Sequence, residues 1–583
     1  MAEDELGKLA KSLGFNKFSK GLKEYQRELR ELSASAIREE GVSEFGDQPF
    51  ELNTGDWYAD ETGIWRHGNN GNIVYACTHP IMPIQRLVSI DTGLVKIKLA
   101  YRRGYAAKRP WNIITVPSSR ISKASDIISL SDNGISVTSG DRAQALVDYL
   151  RDVLDRNQEV IPEVKSVSRM GWNEDGFSPY IGGVEFDSAD SFRQIYQAIG
   201  AFGEEKIWME EALAARRYSV TARIVLAASF ASVLVEPLGC LPFFVHLWGM
   251  DSGTGKSVSQ MLAAAVWGNP TIGGPFFPTF KSTSVGVELM AGFLHSLPLV
   301  MDELQLAKDR HGNIVFNVYE LASGSGKLRG NKGLGLDYTP KWANCFITSG
   351  ETPLVSEQDG AGALNRVIEI ECRASEKVIE DGHRTANAVK QSYGHAGKIF
   401  IDRLCTEGCV DLAKAWYEEA YAACMRSDTT EKQAMAAALL LTADRLATEW
   451  IFHDGHALSA EEIGGFLKSK AAVSASERGY DYLCDWVASN AARFRDTVET
   501  GEHYGVMQGS TAVINRSVFD QACKEAGISP KALLSHLKSR NLLELGQKGY
   551  TKMKRIDGIP VHCIWLRLPD EEGDSYETDE LPL

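Results

Sequence analysis

Hydrophobic and polar positions change rhythm several times along the 583 residues. Residues 1–45 alternate Lys, Arg and Glu with an apolar spacing that suits a solvated helical arm. From Trp57 to Trp172 short β-type runs, such as Asn72-Ile73-Val74-Tyr75-Ala76 and Val95-Lys96-Ile97-Lys98-Leu99, are separated by Gly, Asp and Pro turns. A helical pattern over 142–157 follows, and together these predict an α+β domain over 46–203 without a catalytic constellation, acting as an oligomerisation or DNA-guiding collar.

Over 204–395 the elements lengthen and alternate. A helix is predicted over 218–234, an apolar strand over 243–247 and a helix over 256–267. Further strands end at Asp302 or cover 342–348 and 366–371. Strands alternating with helices predict a parallel, doubly wound α/β sheet with its ligand at the strand ends. Residues 396–505 read as several lid or linker helices, one opened by the capping box Ser459-Ala460-Glu461-Glu462. Residues 506–569 place helices over 517–526 and 531–540 around the break Gly527-Ile528-Ser529-Pro530, then two β-type runs, which is a winged-helix pattern. The acidic tail 570–583 is expected to be solvated and disordered.

Composition narrows the class. With 44% hydrophobic and 24% charged residues the chain can fill several cores. Its ten cysteines include no C-x-x-C pair, and Cys405 and Cys409 lack a second ligand pair, so reduced thiols are expected rather than zinc. The start, MAEDELGKLAKSLGF, has no apolar signal core, and the longest apolar stretch, Ile224 to Val235, is too short to span a bilayer. A cytoplasmic protein with no membrane contact is expected. A formal charge of −15 confines any nucleic-acid contact to local basic elements.

The chemistry starts at LPFFVHLWGMDSGTGKS, an apolar run, a glycine-rich loop and then a helix. Gly249, Asp251, Ser252, Gly253, Thr254 and Gly255 would bring backbone N–H groups to phosphates, Lys256 would reach the β and γ phosphates, and Ser257 would hold Mg²⁺. Met250 stands where the first glycine of such a loop usually falls. Downstream, Leu297-Pro298-Leu299-Val300-Met301 ends in Asp302, a Mg²⁺ ligand, and Glu303, which would polarise the attacking water. Together these predict ATP hydrolysis with Mg²⁺. The run WANCFITSGE ends in Thr348 and Ser349, either of which would sense the γ-phosphate or the lytic water.

Basic residues suggest where hydrolysis meets DNA. Lys327, Arg329 and Lys332 lie in a glycine-broken segment, either a hairpin gripping phosphates or a solvated loop. Arg366 would reach a neighbouring subunit's γ-phosphate, or pair with Glu369 or Glu371. Lys531, Lys538, Arg540, Lys552, Lys554 and Arg555 crowd the winged helix and suit duplex phosphates, although such modules also bind proteins. Lys98, Arg102, Arg103, Lys108 and Arg109, near Tyr101, Tyr105 and Trp111, would either face nucleic acid or form a solvated edge. Arg384 and Arg403 are lid-sensor candidates or ordinary surface arginines, and a turn accounts for His453 and His456.

The run from Ala227 to Cys372, with HLWGMDSGTGKS, AAAVWGNP, SLPLVMDELQ, LASGSGKLRGNKG, WANCFITSGETP and GALNRVIEIEC, resembles a family of prophage and mobile-element ATPases known as a domain of unknown function. The resemblance continues upstream through GISVTS and RMGW and covers most of the chain. That family is similar to AAA+ ATPases of the minichromosome-maintenance type and to replicative helicases of cassette-chromosome elements. The resemblance implies an AAA+ P-loop core and a hexameric ring moving along single-stranded DNA in replication; the sequence leaves open whether a separately encoded primase or other replication partner acts beside it. The resemblance also implies that Arg366 is a finger acting in trans and that Lys327 to Lys332 form a basic hairpin. A nucleotide-switched initiator or helicase loader that does not unwind is the alternative, with a protein-remodelling ATPase as a third reading.

Overall fold

The computed structural model describes residues 2–15, 17–18, 20–25, 41–68, 72–103, 110–307, 316–330, 339–355, 361–425, 429–473, 475–495, 502–546 and 549–569. Two compact units divide the chain. One holds residues 1–168 and 182–187, the other 169–181 and 188–583. The boundary expected at residue 203 is therefore corrected, since 188–203 fold with the second unit.

In the first unit, β1 (Tyr58–Asp60), β2 (Gly63–His67) and β3 (Ile73–Cys77) form a small antiparallel sheet. A five-stranded mixed sheet follows, built from β4 (Ile81–Ser89), β5 (Val95–Tyr101), β6 (Asn112–Pro117), β7 (Glu163–Val167) and β8 (Glu185–Phe186) in the order β8-β7-β4-β5-β6. Helix α1 (Asp141–Arg156) buries Ala143, Leu146, Tyr149, Leu150 and Val153, the 3- and 4-residue spacing of one helix face. The described cations expected to face nucleic acid are engaged within the unit. Arg102 is 1% exposed, its guanidinium 4.5 Å from the Trp111 ring and paired with Glu61. Lys98 pairs with Glu185, and Arg103 Nε donates to the Gly134 carbonyl. Tyr105, Lys108 and Arg109 lie outside the described residues.

The second unit is centred on a four-stranded parallel sheet, β9 (Phe243–Trp248), β10 (Leu299–Met301), β11 (Cys345–Gly350) and β12 (Val367–Glu371), in the order β10-β11-β9-β12. Their near-continuous apolar runs suit strands covered on both faces. Around the sheet lie α2 (Glu205–Tyr218), α3 (Val220–Ala231), α4 (Lys256–Ala264), α5 (Ser284–Leu294), the single turn α6 (Val318–Leu321), α7 (Gly382–Gln391) and α8 (Glu431–Ala447). The helix expected over 256–267 is helical only to Ala264, and the strand expected over 342–348 runs instead from Cys345 to Gly350. The capping box at Ser459 and Glu462 is present.

The C-terminal module contains α9 (Ala475–Ser489), β13 (Gly505–Gln508), β14 (Thr511–Asn515), α10 (Arg516–Glu525), α11 (Pro530–Ser539), β15 (Thr551–Ile556) and β16 (Ile559–Arg567). Its antiparallel sheet has the order β13-β14-β16-β15. The boundary expected at 505/506 is corrected, because Leu483, Val487 and Phe494 share a core with Phe519, Leu533, Leu537 and Ile564. Residues from α9 onward therefore fold with this module and not with a lid. Among the described residues no helix is long and apolar enough to cross a membrane. The acidic tail 570–583 lies outside the described residues.

Candidate nucleotide site and basic elements

Parallel strands bring their carboxyl ends together, and three of them build this site. β9 delivers the glycine-rich loop, β11 delivers Thr348 and Ser349, and β10 delivers Asp302 and Glu303, with Met301, Thr348 and His246 side by side in the sheet. Gly249 has φ 151°, and a Cβ there would stand 2.4 Å from the Cys372 carbonyl oxygen. Met250 is 85% exposed and meets no such constraint. The close approach required of the loop's first glycine is thus made one place early, by Gly249.

Gly253 and Gly255 also have positive φ, 73° and 95°, and a Cβ on Gly255 would meet the Ile379 nitrogen at 2.9 Å. Lys256 Nζ donates to the carbonyls of Gly249 (2.7 Å) and Asp251 (2.9 Å), so the lysine folds back over the loop it serves. Asp251 and Ser252 are exposed, Ser257 is half-buried, and Thr254 is buried with its Oγ1 lacking a hydrogen bond. Residues after β12 close on the loop from the other side. Val378 N donates to Thr254 O (2.8 Å) and Ala374 N to an Asp251 carboxylate oxygen (2.9 Å). Sequence reasoning missed this flank, which no local pattern marks.

Asp302 is 5% exposed, and its Oδ1 accepts from Ser349 Oγ and from Glu303 N (3.0 Å). Both contacts fall on Oδ1, which leaves Oδ2 for an outside cation. That oxygen and the Ser257 hydroxyl are the hard donors Mg²⁺ prefers. Glu303 is exposed at φ 65°, ψ 65°, a left-handed conformation uncommon outside glycine and one that collects at functional sites. Thr348 and Ser349, being consecutive in a strand, face opposite ways. Ser349 joins Asp302, whereas Thr348 Oγ1 bonds His246 Nδ1 (2.9 Å) in the interior.

His246 and Gln260 are supporting residues that sequence reasoning did not single out. Gln260 Nε2 donates to Met301 O (2.9 Å) and Ile347 O (3.1 Å), tying α4 to both β10 and β11. His246 Nε2 lies 3.0 Å from the Thr352 carbonyl, so that nitrogen carries the proton and Nδ1 accepts from Thr348. Burial pushes the His246 pKa down to about 4, and burial likewise pushes His295 down to about 3. An unfolded histidine binds its proton near pH 6.5, so the unfolded chain gains protons first as pH falls. Stability is therefore complete above about pH 6.5 and declines toward pH 4, His246 alone removing roughly 2 kcal/mol by pH 5. Urea unfolding should show a lower midpoint near pH 5 than near pH 7.5. Equal midpoints, with equal slopes, would contradict a buried neutral imidazole.

Arg366 sits at the other end of the sheet. Its carbonyl accepts from Phe244 N (2.8 Å), and β12 then runs five residues before reaching the level of the loop, roughly 16 Å away. The expected alternative, a salt bridge to Glu369 or Glu371, is absent. Glu369 receives Lys468 Nζ (2.6 Å) and Glu371 pairs with Arg373 (2.7 Å). The Arg366 guanidinium instead lies 4.9 Å from the centre of the Tyr319 ring, and its buried Nε has no hydrogen-bond partner.

In the basic segment, Trp342 N donates to Gly324 O (2.9 Å) and Gly326 N to Pro340 O (2.9 Å), so its two arms return side by side. Lys327 pairs with Glu320 (3.0 Å) and Arg329 with Glu288 (3.3 Å), while Lys332 lies outside the described residues. On the C-terminal module Lys531, Lys538 and Arg540 are exposed on α11 or just after it. Lys552 and Lys554 both lie over the Trp565 ring, at 4.8 and 5.8 Å, and Lys552 also pairs with Glu544. Arg384 pairs with Glu211 (2.8 Å), Arg403 is exposed, and Asp454 holds the turn between His453 and His456 by accepting from His456 N (3.1 Å).

Residues 50–335 match the family described as a domain of unknown function, DUF927, and residues 474–571 match the Cch helix turn helix domain. No curated protein matches the chain. Among solved structures the chain resembles one titled SCCmec type IV Cch, active helicase, at 18% identity and a TM-score of 0.61, covering 89% of this chain and 98% of that one. That likeness shows a shared fold. A structure titled as the A form apo NrS-1 C terminal region aligns at 12% identity over 83% of this chain and 96% of that one, with a TM-score of 0.29, too low to carry an argument.

Proposed function

Since the chain carries a DUF927 domain together with a Cch helix turn helix domain, we propose that it is an ATP-dependent DNA helicase or translocase of a phage, prophage or mobile element, with an AAA+ core. It acts as a hexameric ring on single-stranded DNA in replication. The observation that carries this reading is the meeting of the Lys256 loop, the Asp302–Ser349 pair and Glu303 at one end of a parallel sheet. In P-loop enzymes such a set leaves little covalent chemistry to the protein, which positions the phosphates and stabilises charge.

In this reading the amides of residues 251–257 cradle the phosphates, and Lys256 exchanges its two loop carbonyls for phosphate oxygens. Ser257 and Asp302 would hold Mg²⁺, which would supply neutralisation of phosphate charge. Glu303 accepts the proton of the attacking water while Ser349 orients Asp302. Arg366 stabilises the charge that develops in the neighbouring subunit. Lys327, Arg329 and Lys332 carry the stroke to DNA, and Lys531, Lys538, Arg540, Lys552 and Lys554 let the C-terminal module hold duplex.

One observation favours the second reading, a nucleotide-switched initiator or loader. Lys327 and Arg329 already have carboxylate partners and must leave them to hold phosphates. The deciding measurement is ATP turnover with and without single-stranded DNA, on the native protein and on Arg329→Ala. The motor reading expects turnover to rise at least about tenfold with DNA and Arg329→Ala to lose most of that rise. Slow turnover indifferent to single strands, with tight duplex binding, would move the switch to first place.

A further inference from the structure

Helix α6 is one turn long, yet it touches three elements to which the proposed motor gives separate tasks. Asn317 caps it by accepting from Glu320 N (3.1 Å). Trp342, on the path into β11 and thus toward Ser349, donates from Nε1 to Leu321 O (2.7 Å). Glu320 holds Lys327 of the basic segment. Tyr319, the adjacent residue, lies under the Arg366 guanidinium. Val318 and Leu321 are buried, so the turn is anchored on the side opposite Tyr319, which is 56% exposed.

The contact between Tyr319 and Arg366 is closely fitted. A Cβ on Gly362 would stand 2.6 Å from the Tyr319 ring, so only glycine lets the ring lie there. Arg366 takes no carboxylate among the described residues, and its Nε is buried without a hydrogen bond. A ring attracts a guanidinium through its face without using up the N–H donors. A carboxylate would neutralise the guanidinium, whereas the ring leaves its charge uncompensated and, with Nη1 donating only to the Gly362 carbonyl (3.4 Å), leaves Nη2 for an anion supplied from outside. Beside the turn, a cavity of about 250 Å³ lined by Phe316, Tyr319, Glu320, Lys327 and Trp342 leaves it room to shift.

We propose that Tyr319 is a positioning residue that holds Arg366 for the neighbouring active site, and that α6 relays DNA occupancy of Lys327 to it. This rests on the function proposed above. DNA phosphate takes Lys327 from Glu320, an exposed pair of little net strength. The freed turn then resets the ring under Arg366.

The test uses the full chain, ATP turnover and oligo(dT). Tyr319→Leu is expected to lower the DNA-stimulated kcat about tenfold with KM for ATP within about twofold, while Tyr319→Phe retains the native rate. In an Arg366→Ala background Tyr319→Leu is expected to cause no further loss, since the ring acts only through that arginine. Glu320→Gln should raise turnover without DNA and shrink the stimulation ratio. Native-like rates in Tyr319→Leu, or losses that multiply in the double variant, would overturn the relay while leaving the motor intact. A native protein without ATP turnover would overturn the functional reading as well, so the two failures are distinct.

Discussion

Glu303→Gln is expected to bind ATP and Mg²⁺ as the native protein does and to hydrolyse it at least about 100-fold more slowly. The substitution preserves volume and leaves Asp302, Ser349 and the Lys256 loop untouched, but the amide cannot accept a proton from water. Glu303 N donates to Asp302 Oδ1, and this backbone contact survives the change. The conformation also argues for a chemical role. Holding a non-glycine residue at φ 65°, ψ 65° costs on the order of 1 kcal/mol, and among the described residues the exposed side chain has no hydrogen bond or ion pair that would account for it. Fluorescent-nucleotide binding and steady-state phosphate release measured on one preparation separate the two effects. Turnover within a few-fold of native would remove Glu303 from the chemistry.

The features readable from sequence were those whose cause is local. An apolar strand, a glycine loop and Lys256-Ser257 at a helix start lie within seventeen consecutive residues, and Asp302 and Glu303 end an apolar run as a sheet-end site requires. What stayed ambiguous was set by distant partners. Thr348 and Ser349 are equally polar and adjacent, and only the register against Met301 and His246 turns one toward Asp302 and the other into the core. Met250 looked like a defect because the close approach that Gly249 makes is to Cys372, more than a hundred residues away. Arg102 read as part of a basic surface, yet Glu61 and Trp111 bury it. The helix at 475–489 is plain in either assignment, but which core it joins depends on strands that come later in the chain.

Mixing two inactive proteins, Glu303→Gln and Arg366→Ala, is expected to restore turnover to about a quarter of the native rate. Arg366 immediately precedes β12 while the loop lies past the far end of its neighbour β9, roughly 16 Å along the sheet, which is farther than an arginine side chain can bridge. A cationic contribution from Arg366 to phosphate chemistry therefore has to come from one subunit to the next, across a head-to-tail contact that a ring repeats. In a random mixture, a working site needs Glu303 on one subunit and Arg366 on the adjacent one. One interface in four satisfies both, and no interface within either pure variant does. Each variant alone should fall at least about 100-fold, so the recovery stands well clear of background. A mixture that stays as slow as its components, while native protein mixed with either variant is merely diluted, would place Arg366 in the structure of its own subunit. Tyr319 would then be packing against a structural cation, and α6 would have nothing to relay.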